Sequence, residues 1–221
     1  MLTVYVVRHG QTDHNLYGVV QGHLNTPLNA TGLAQAQTVA QRLIDEEGIR
    51  FDAAYSSDSD RASDTALAIL VRQGNEVVMQ QQEELRERDM GELSGKTGPF
   101  PRPLPPSVES SPHFVKRCLA WWNDTILPLA SDPVDRTILV TSHGAYILTL
   151  FRQLVADAQH GGLGYSMVDQ ALSEHPFRHS ANTSVSVVKV ESDGRGVVEK
   201  FNDHAHLAEG AHTVVSKDLA A

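Results

Sequence analysis

Three short β-rich runs of this 221-residue chain end in residues that could do chemistry: Arg8-His9-Gly10, Ser56-Ser57 with Arg61 close behind, and Ser142-His143-Gly144. Open α/β sheets hold their ligands at the carboxyl ends of strands, so the positions directly after strands are weighed first. If the three strands are neighbours, two imidazoles and two guanidiniums converge on one crevice. A phosphoryl group in transfer spreads negative charge over its equatorial oxygens and is stabilised by fixed donors, and the arginine fork fits those oxygens. Gly144 and Ala145 are expected to open a helix whose free N–H groups and dipole also favour an anion. One histidine can then act as nucleophile while the other stays a donor. Each run alone is weak, because a histidine at a strand end is more often a packed or exposed polar residue.

The elements that must position these residues alternate along the chain. Strands are predicted over 2–7, 51–55, 77–79 and 137–141, and helices over 31–43, 60–71, 113–127 and 145–155. Such alternation implies an α/β fold, a three-layer α/β/α sandwich with a mostly parallel sheet. Strands over 184–190 and 197–201 flank the turn residues Ser192-Asp193-Gly194-Arg195-Gly196, which adds an antiparallel strand at the sheet edge. Five prolines (Pro99, Pro101, Pro103, Pro105, Pro106) bar helix interior and central strand from 95–112. That stretch is read as a surface excursion: a lid offering Lys96 and Arg102 to a substrate anion, a plain connecting loop, or a polyproline ligand for a partner module. Trp121 and Trp122 are expected to pack at the buried edge of their helix.

Composition bounds the remaining possibilities. One domain over 1–221 is the expectation at this length. With Lys+Arg 18 and Asp+Glu 27 the formal net charge is −9, which argues against nucleic-acid or anionic-membrane binding and requires a local basic pocket for any anionic substrate. Cys118 is the single cysteine and sits in an apolar helical run, a core residue with no disulfide to form. No signal-like or membrane-spanning stretch is visible, so a cytoplasmic protein is expected. His204, His206 and His212 offer a metal site on paper, but without companion cysteines a metal is not expected there.

Beyond spacing, whole blocks carry a resemblance. Val6-Val7-Arg8-His9-Gly10-Gln11-Thr12-Asp13-His14-Asn15 resembles the signature of the histidine phosphatase, or phosphoglycerate-mutase-like, superfamily. Similarity continues through Gln21-Gly22-His23-Leu24-Asn25, with Asn25 in place of the usual acid, and through Ser56 to Ala66 around Arg61. It extends over Leu85-Arg86-Glu87-Arg88-Asp89-Met90-Gly91, Val140 to Gly144, and the late segments Asn182-Thr183-Ser184-Val185 and His206-Leu207, the last two being similar to small fungal broad-specificity phosphatases.

The resemblance implies a phosphoglycerate-mutase-like fold and a cofactor-independent, metal-free phosphatase of small phosphorylated metabolites. In it His9 becomes a phosphohistidine, while Arg8, Arg61 and a charged His143 bind the phosphoryl group, joined by Asn15 and the Gly144 and Ala145 backbone. Glu87, chosen over Glu83, Glu84 and Glu92 by its place in the block, is the general acid and base, with a pKa above that of an exposed glutamate. Gln21 and Gly22 fall to the substrate. The short, proline-rich path from Glu87 to His143 favours an open site and hydrolysis. A cofactor-dependent phosphoglycerate mutase and a non-catalytic phospho-ligand-binding protein are the alternatives.

Overall fold

The computed structural model describes residues 1–74, 76–157, 159, 161–168, 177 and 180–207. Strands β1 (Leu2–Arg8), β2 (Ala53–Ser57), β3 (Met79–Gln82), β4 (Arg136–Ser142), β5 (Ser166–Met167), β6 (Val185–Val190) and β7 (Gly196–Asp203) join in one sheet, ordered β3-β2-β4-β1-β6-β7-β5 among the described residues. Side chains alternate across a strand, and here both faces are apolar. Val4, Val6, Ile138 and Val140 point into one cluster with Trp122, Ile126 and Phe151. Val7, Leu139 and Val187 point into the other with Val39, Leu43 and Ile69.

The α-helices among the described residues are α1 (Asp13–Tyr17), α2 (Ala30–Gln41), α3 (Asp60–Gln73), α4 (Ser111–Trp121), α5 (Leu127–Ala130) and α6 (Gly144–Val155). α2 and α3 supply the second cluster, and α4 and α6 the first, so the sheet is sandwiched as its two-faced hydrophobicity requires. α2 starts where Asn29 Oδ1 accepts the Gly32 N–H at 2.9 Å, a side-chain cap. The capping residue of α3, Ser59, makes no such bond; Asn25, remote in sequence, accepts the Asp60 N–H at 2.9 Å instead. Trp121, Trp122 and Cys118 are buried as expected.

Several elements differ from the sequence reading. The predicted helix over 113–127 divides into α4, a π-helical turn over Trp122–Ile126 and α5, which begins with Pro128 in its first turn, a position that needs no N–H donor. β3 lies at Met79–Gln82 rather than 77–79: its run of glutamines lacks apolar alternation, and it pairs only with β2 at the sheet edge. The antiparallel strand, β6, sits inside the sheet between β1 and β7, and the unforeseen two-residue β5 takes the rim by pairing parallel with β7. Within the proline-rich 95–112 stretch, Phe100 and Leu104 pack on a small core of Val20, Met90, Leu93 and Val108, so the excursion is docked on the block around Glu87.

Candidate active site

β1 and β4 run parallel with Arg8 opposite Ser142, so the next residues, His9 and His143, leave the sheet side by side. The His9 N–H donates to the Ser142 carbonyl at 3.0 Å. The two buried imidazoles have centroids 5.2 Å apart. β2 lies on the other side of β4, and its last residue, Ser57, places its hydroxyl 2.9 Å from His143 Nε2. Arg61 occupies the first turn of α3, and its charge, with that of Arg8, acts on both imidazoles.

His9 has a defined tautomer. Its Nδ1 lies 2.6 Å from the Gly10 carbonyl oxygen, and a carbonyl only accepts; Nδ1 therefore carries the proton and Nε2 the lone pair. Burial, then Arg8 and Arg61, hold the His9 pKa well below 6.5, so the lone pair is present at neutral pH. His143 is also held well below 6.5, by burial and then by Arg61, His9 and Arg8. The sequence reading has it charged; before an anion arrives it is neutral, because two fixed cations and a desolvated pocket both disfavour a third positive charge.

The arginines are tethered through backbone. Arg8 Nη1 donates to the Ser180 carbonyl. Arg61 Nη1 donates to the Leu24 carbonyl at 2.7 Å and Nη2 to the Gly22 carbonyl at 3.0 Å. Gly22 thus acts on the site through its carbonyl. It takes φ +49°, and a Cβ there would meet the Met90 nitrogen at 2.9 Å, which explains a glycine at this position. Gln21 is buried, its Oε1 accepting the Thr12 hydroxyl at 2.9 Å and the Thr26 hydroxyl, which ties the loop to the start of α1. Asn15 Oδ1 accepts the Thr12 N–H at 3.1 Å and Asn182 Nδ2 at 3.3 Å, so the asparagine belongs to a helix cap, the competing role for it.

Glu87 is held by backbone donors. Its Oε2 accepts the Ala145 N–H at 3.0 Å, and its Oε1 accepts those of Tyr146 and Arg88, each at 3.0 Å. The N-terminus of α6, assigned from sequence to the phosphoryl group through Gly144 and Ala145, gives its Ala145 and Tyr146 donors to this carboxylate. Lys96 and Arg102 stand exposed on the excursion, outside the buried cluster. His204 Nδ1 bonds to the Asn202 carbonyl, and His206 bonds to Arg42 and Thr183; His212 lies outside the described residues.

The late segment Asn182-Thr183-Ser184-Val185, picked out in the sequence without a role, supports the end of β1. Thr183 takes φ 54°, rare for a β-branched residue, and its N–H reaches the Arg8 carbonyl at 3.1 Å and the His9 carbonyl at 3.3 Å. Asn182 Nδ2 donates to the His9 carbonyl at 3.0 Å, and Thr65 Oγ1 accepts the Gly10 N–H at 3.0 Å. The signals in the sequence were the family-like block Asn182-Thr183-Ser184-Val185 and the valine-rich strand it leads into. A cleft of about 680 Å³ opens alongside the Glu87 block, lined by His23, Arg86, Asp89, Val108, Glu109 and Arg117 among others.

A family model described as Histidine phosphatase superfamily (branch 1) matches residues 4–204. The chain is similar to a probable phosphatase of Schizosaccharomyces pombe, 29% identical over 212 residues covering 93% of this chain and 95% of that one. It is also similar to a broad-specificity phosphatase of Saccharomyces cerevisiae, 28% identical with 97% and 91% covered. Among solved structures, phosphoglycerate mutase from Bacillus anthracis aligns with a TM-score of 0.74 at 26% identity, covering 93% of this chain and 94% of that one.

Proposed function

The chain belongs to the histidine phosphatase superfamily and is a phosphatase; from that premise we propose that it hydrolyses small phosphorylated metabolites by way of a phosphohistidine on His9. The observation that carries the reading is the His9 tautomer, with Nδ1–H given to the Gly10 carbonyl and the Nε2 lone pair held unprotonated beside two buried arginines.

In the first step His9 Nε2 attacks phosphorus, the phosphorus–oxygen bond to the leaving group breaks, and the departing oxygen takes a proton from Glu87. Arg8 and Arg61 hold the equatorial oxygens, with His143 and the Asn15 amide as further donors. A phosphate dianion entering the pocket favours protonation of His143 by opposite charge and of Glu87 by like charge, each taking its proton from solvent as substrate binds. In the second step Glu87, now a carboxylate, takes a proton from water as the water oxygen attacks phosphorus. The phosphorus–nitrogen bond breaks, releasing inorganic phosphate and restoring His9. The fixed guanidiniums provide the charge stabilisation that a metal ion provides elsewhere. A cytoplasmic setting belongs to the same reading, supported by a single cysteine whose thiol is buried and pushed up by desolvation.

The test is hydrolysis of an aryl phosphate in chelator, with rapid-quench trapping of acid-labile phosphoprotein. Wild type should turn over and show label on His9, and His9→Ala should lose activity by roughly 10⁴-fold or more. Activity abolished by chelator, or retained in His9→Ala, would refute the proposal. Supplying 3-phosphoglycerate with a bisphosphoglycerate primer separates the mutase alternative: fast isomerisation with little free phosphate would favour it.

A further inference from the structure

We infer that Arg117, anchored by Glu109, is the residue that positions Glu87 for proton transfer to the leaving group; this rests on the reading of Glu87 as general acid. Arg117 lies on α4, thirty residues past Glu87, yet its guanidinium is spent on the Glu87 block. Nη1 donates to the carbonyls of Glu84 and Arg86, each at 2.8 Å, and Nη2 donates to the carbonyl of Glu87 itself at 3.1 Å. The remaining directions go to one carboxylate: Nε to Glu109 Oε1 at 3.1 Å and Nη2 to Glu109 Oε2 at 2.8 Å, a bidentate pair with both side chains largely buried.

Glu109 extends the clamp. Its Oε2 accepts the Asp89 N–H at 3.2 Å, and its carbonyl accepts Arg88 Nε at 2.8 Å. Burial raises the Glu109 carboxyl, but its bonds to Arg117, His113 and the Asp89 N–H outweigh this and keep it below the ordinary carboxylate range, so the anchor is an ion pair. His23 Nε2 donates to the same Glu87 carbonyl at 2.8 Å.

Glu87 is therefore fixed at both ends. α6 holds its carboxylate through Ala145 and Tyr146, and Arg117 holds the main chain from which it springs, with its guanidinium 4.9 Å from the Phe114 ring centroid and 6.0 Å from that of Tyr146. A general acid must sit within hydrogen-bond reach of one oxygen, and a misplacement of about 1 Å can cost on the order of 10²-fold in rate. Lysine at position 117 keeps the charge but offers a point donor in place of a planar fork that spans three carbonyls and a carboxylate.

The experiment measures kcat/KM, which reports steps through loss of the leaving group, across phosphoesters from a dinitrophenyl phosphate to an alkyl phosphate. The enzymes are wild type, Arg117→Lys, Glu109→Gln and Glu87→Gln. A good leaving group departs without a proton; an alkoxide does not. Arg117→Lys and Glu109→Gln should lose roughly tenfold to hundredfold on the alkyl ester and less than about threefold on the dinitrophenyl ester, following the selectivity of Glu87→Gln at smaller size. Glu109→Gln keeps the side-chain volume but leaves one acceptor oxygen where the carboxylate offers two, so the bidentate hold on Arg117 and its ion pair are lost; it covers the case in which Arg117→Lys fails to fold. An equal loss on all esters, or none, in the folded variants while Glu87→Gln is selective would overturn the positioning role alone. A Glu87→Gln variant that shows no leaving-group selectivity would overturn the reading of Glu87 and this inference with it.

Discussion

His143 Nε2 shares a hydrogen bond with the Ser57 hydroxyl at 2.9 Å, while its Nδ1, also buried, has no protein partner among the described residues. For a neutral His143 to donate through Nδ1, Nε2 must accept from Ser57, whose hydroxyl can turn either way; for a charged His143 both nitrogens donate. Ser57 serves both forms. Ser57→Ala should lower kcat/KM about tenfold, the equivalent of about 1.4 kcal/mol for one buried hydrogen bond, with little change in thermal midpoint. A twofold change or less in steady-state kinetics would remove Ser57 from the site. His9 needs no such selector, since the Gly10 carbonyl next to it fixes the tautomer within two residues of chain.

The start of α2 and the turn after β1 meet backbone to backbone. A Cβ on Gly32 would stand 2.0 Å from the Gln11 carbonyl oxygen, and one on Gly10 would stand 2.5 Å from that of Gly32. The contact lets Gln11 donate its N–H to Gln35 Oε1 at 2.9 Å and sets the plane of the Gly10 carbonyl that holds His9. Gly32→Ala should cost about 1–3 kcal/mol in urea unfolding and lower turnover as well, since relief of the clash pushes the nucleophile's own turn. Unfolding at the wild-type midpoint would show that α2 shifts freely and that the close approach is incidental.

For the molecule as a whole, two buried neutral histidines make folding depend on pH. Both have native pKa values below the ordinary 6.5, so the unfolded chain binds more protons once pH falls under that value. Their contribution is complete above about pH 6.5 and is lost on acidification, at up to about 1.4 kcal/mol per pH unit for each histidine. Urea midpoints measured from about pH 7.5 down to 5.5 should fall, and His143→Asn should flatten the slope by about half. A flat profile in wild type would mean that the pocket readily admits a charged imidazole. Added phosphate should raise the midpoint and reduce the dependence, because an anion offsets the desolvated positive charge.

Legibility differed by scale for one reason. Strand and helix order, the two-faced sheet and the three strand-end runs were open to local reading, because periodicity and residue type along a few positions decide them. Blocks such as Leu85 to Gly91 also singled out Glu87, which the fold then carries to the N-terminus of α6. What local pattern could not supply was which carboxylate would meet which backbone donor. That outcome depends on parallel crossovers that bring residue 87 to residues 145 and 146, and residue 117 to residues 84 through 87. The bonds of Glu87 to the N-terminus of α6, the neutral His143, the support from Asn182 and Thr183 and the clamp by Arg117 all come from groups remote in sequence meeting in a dry interior. There hydrogen bonding and desolvation, summed over the folded chain, set each charge.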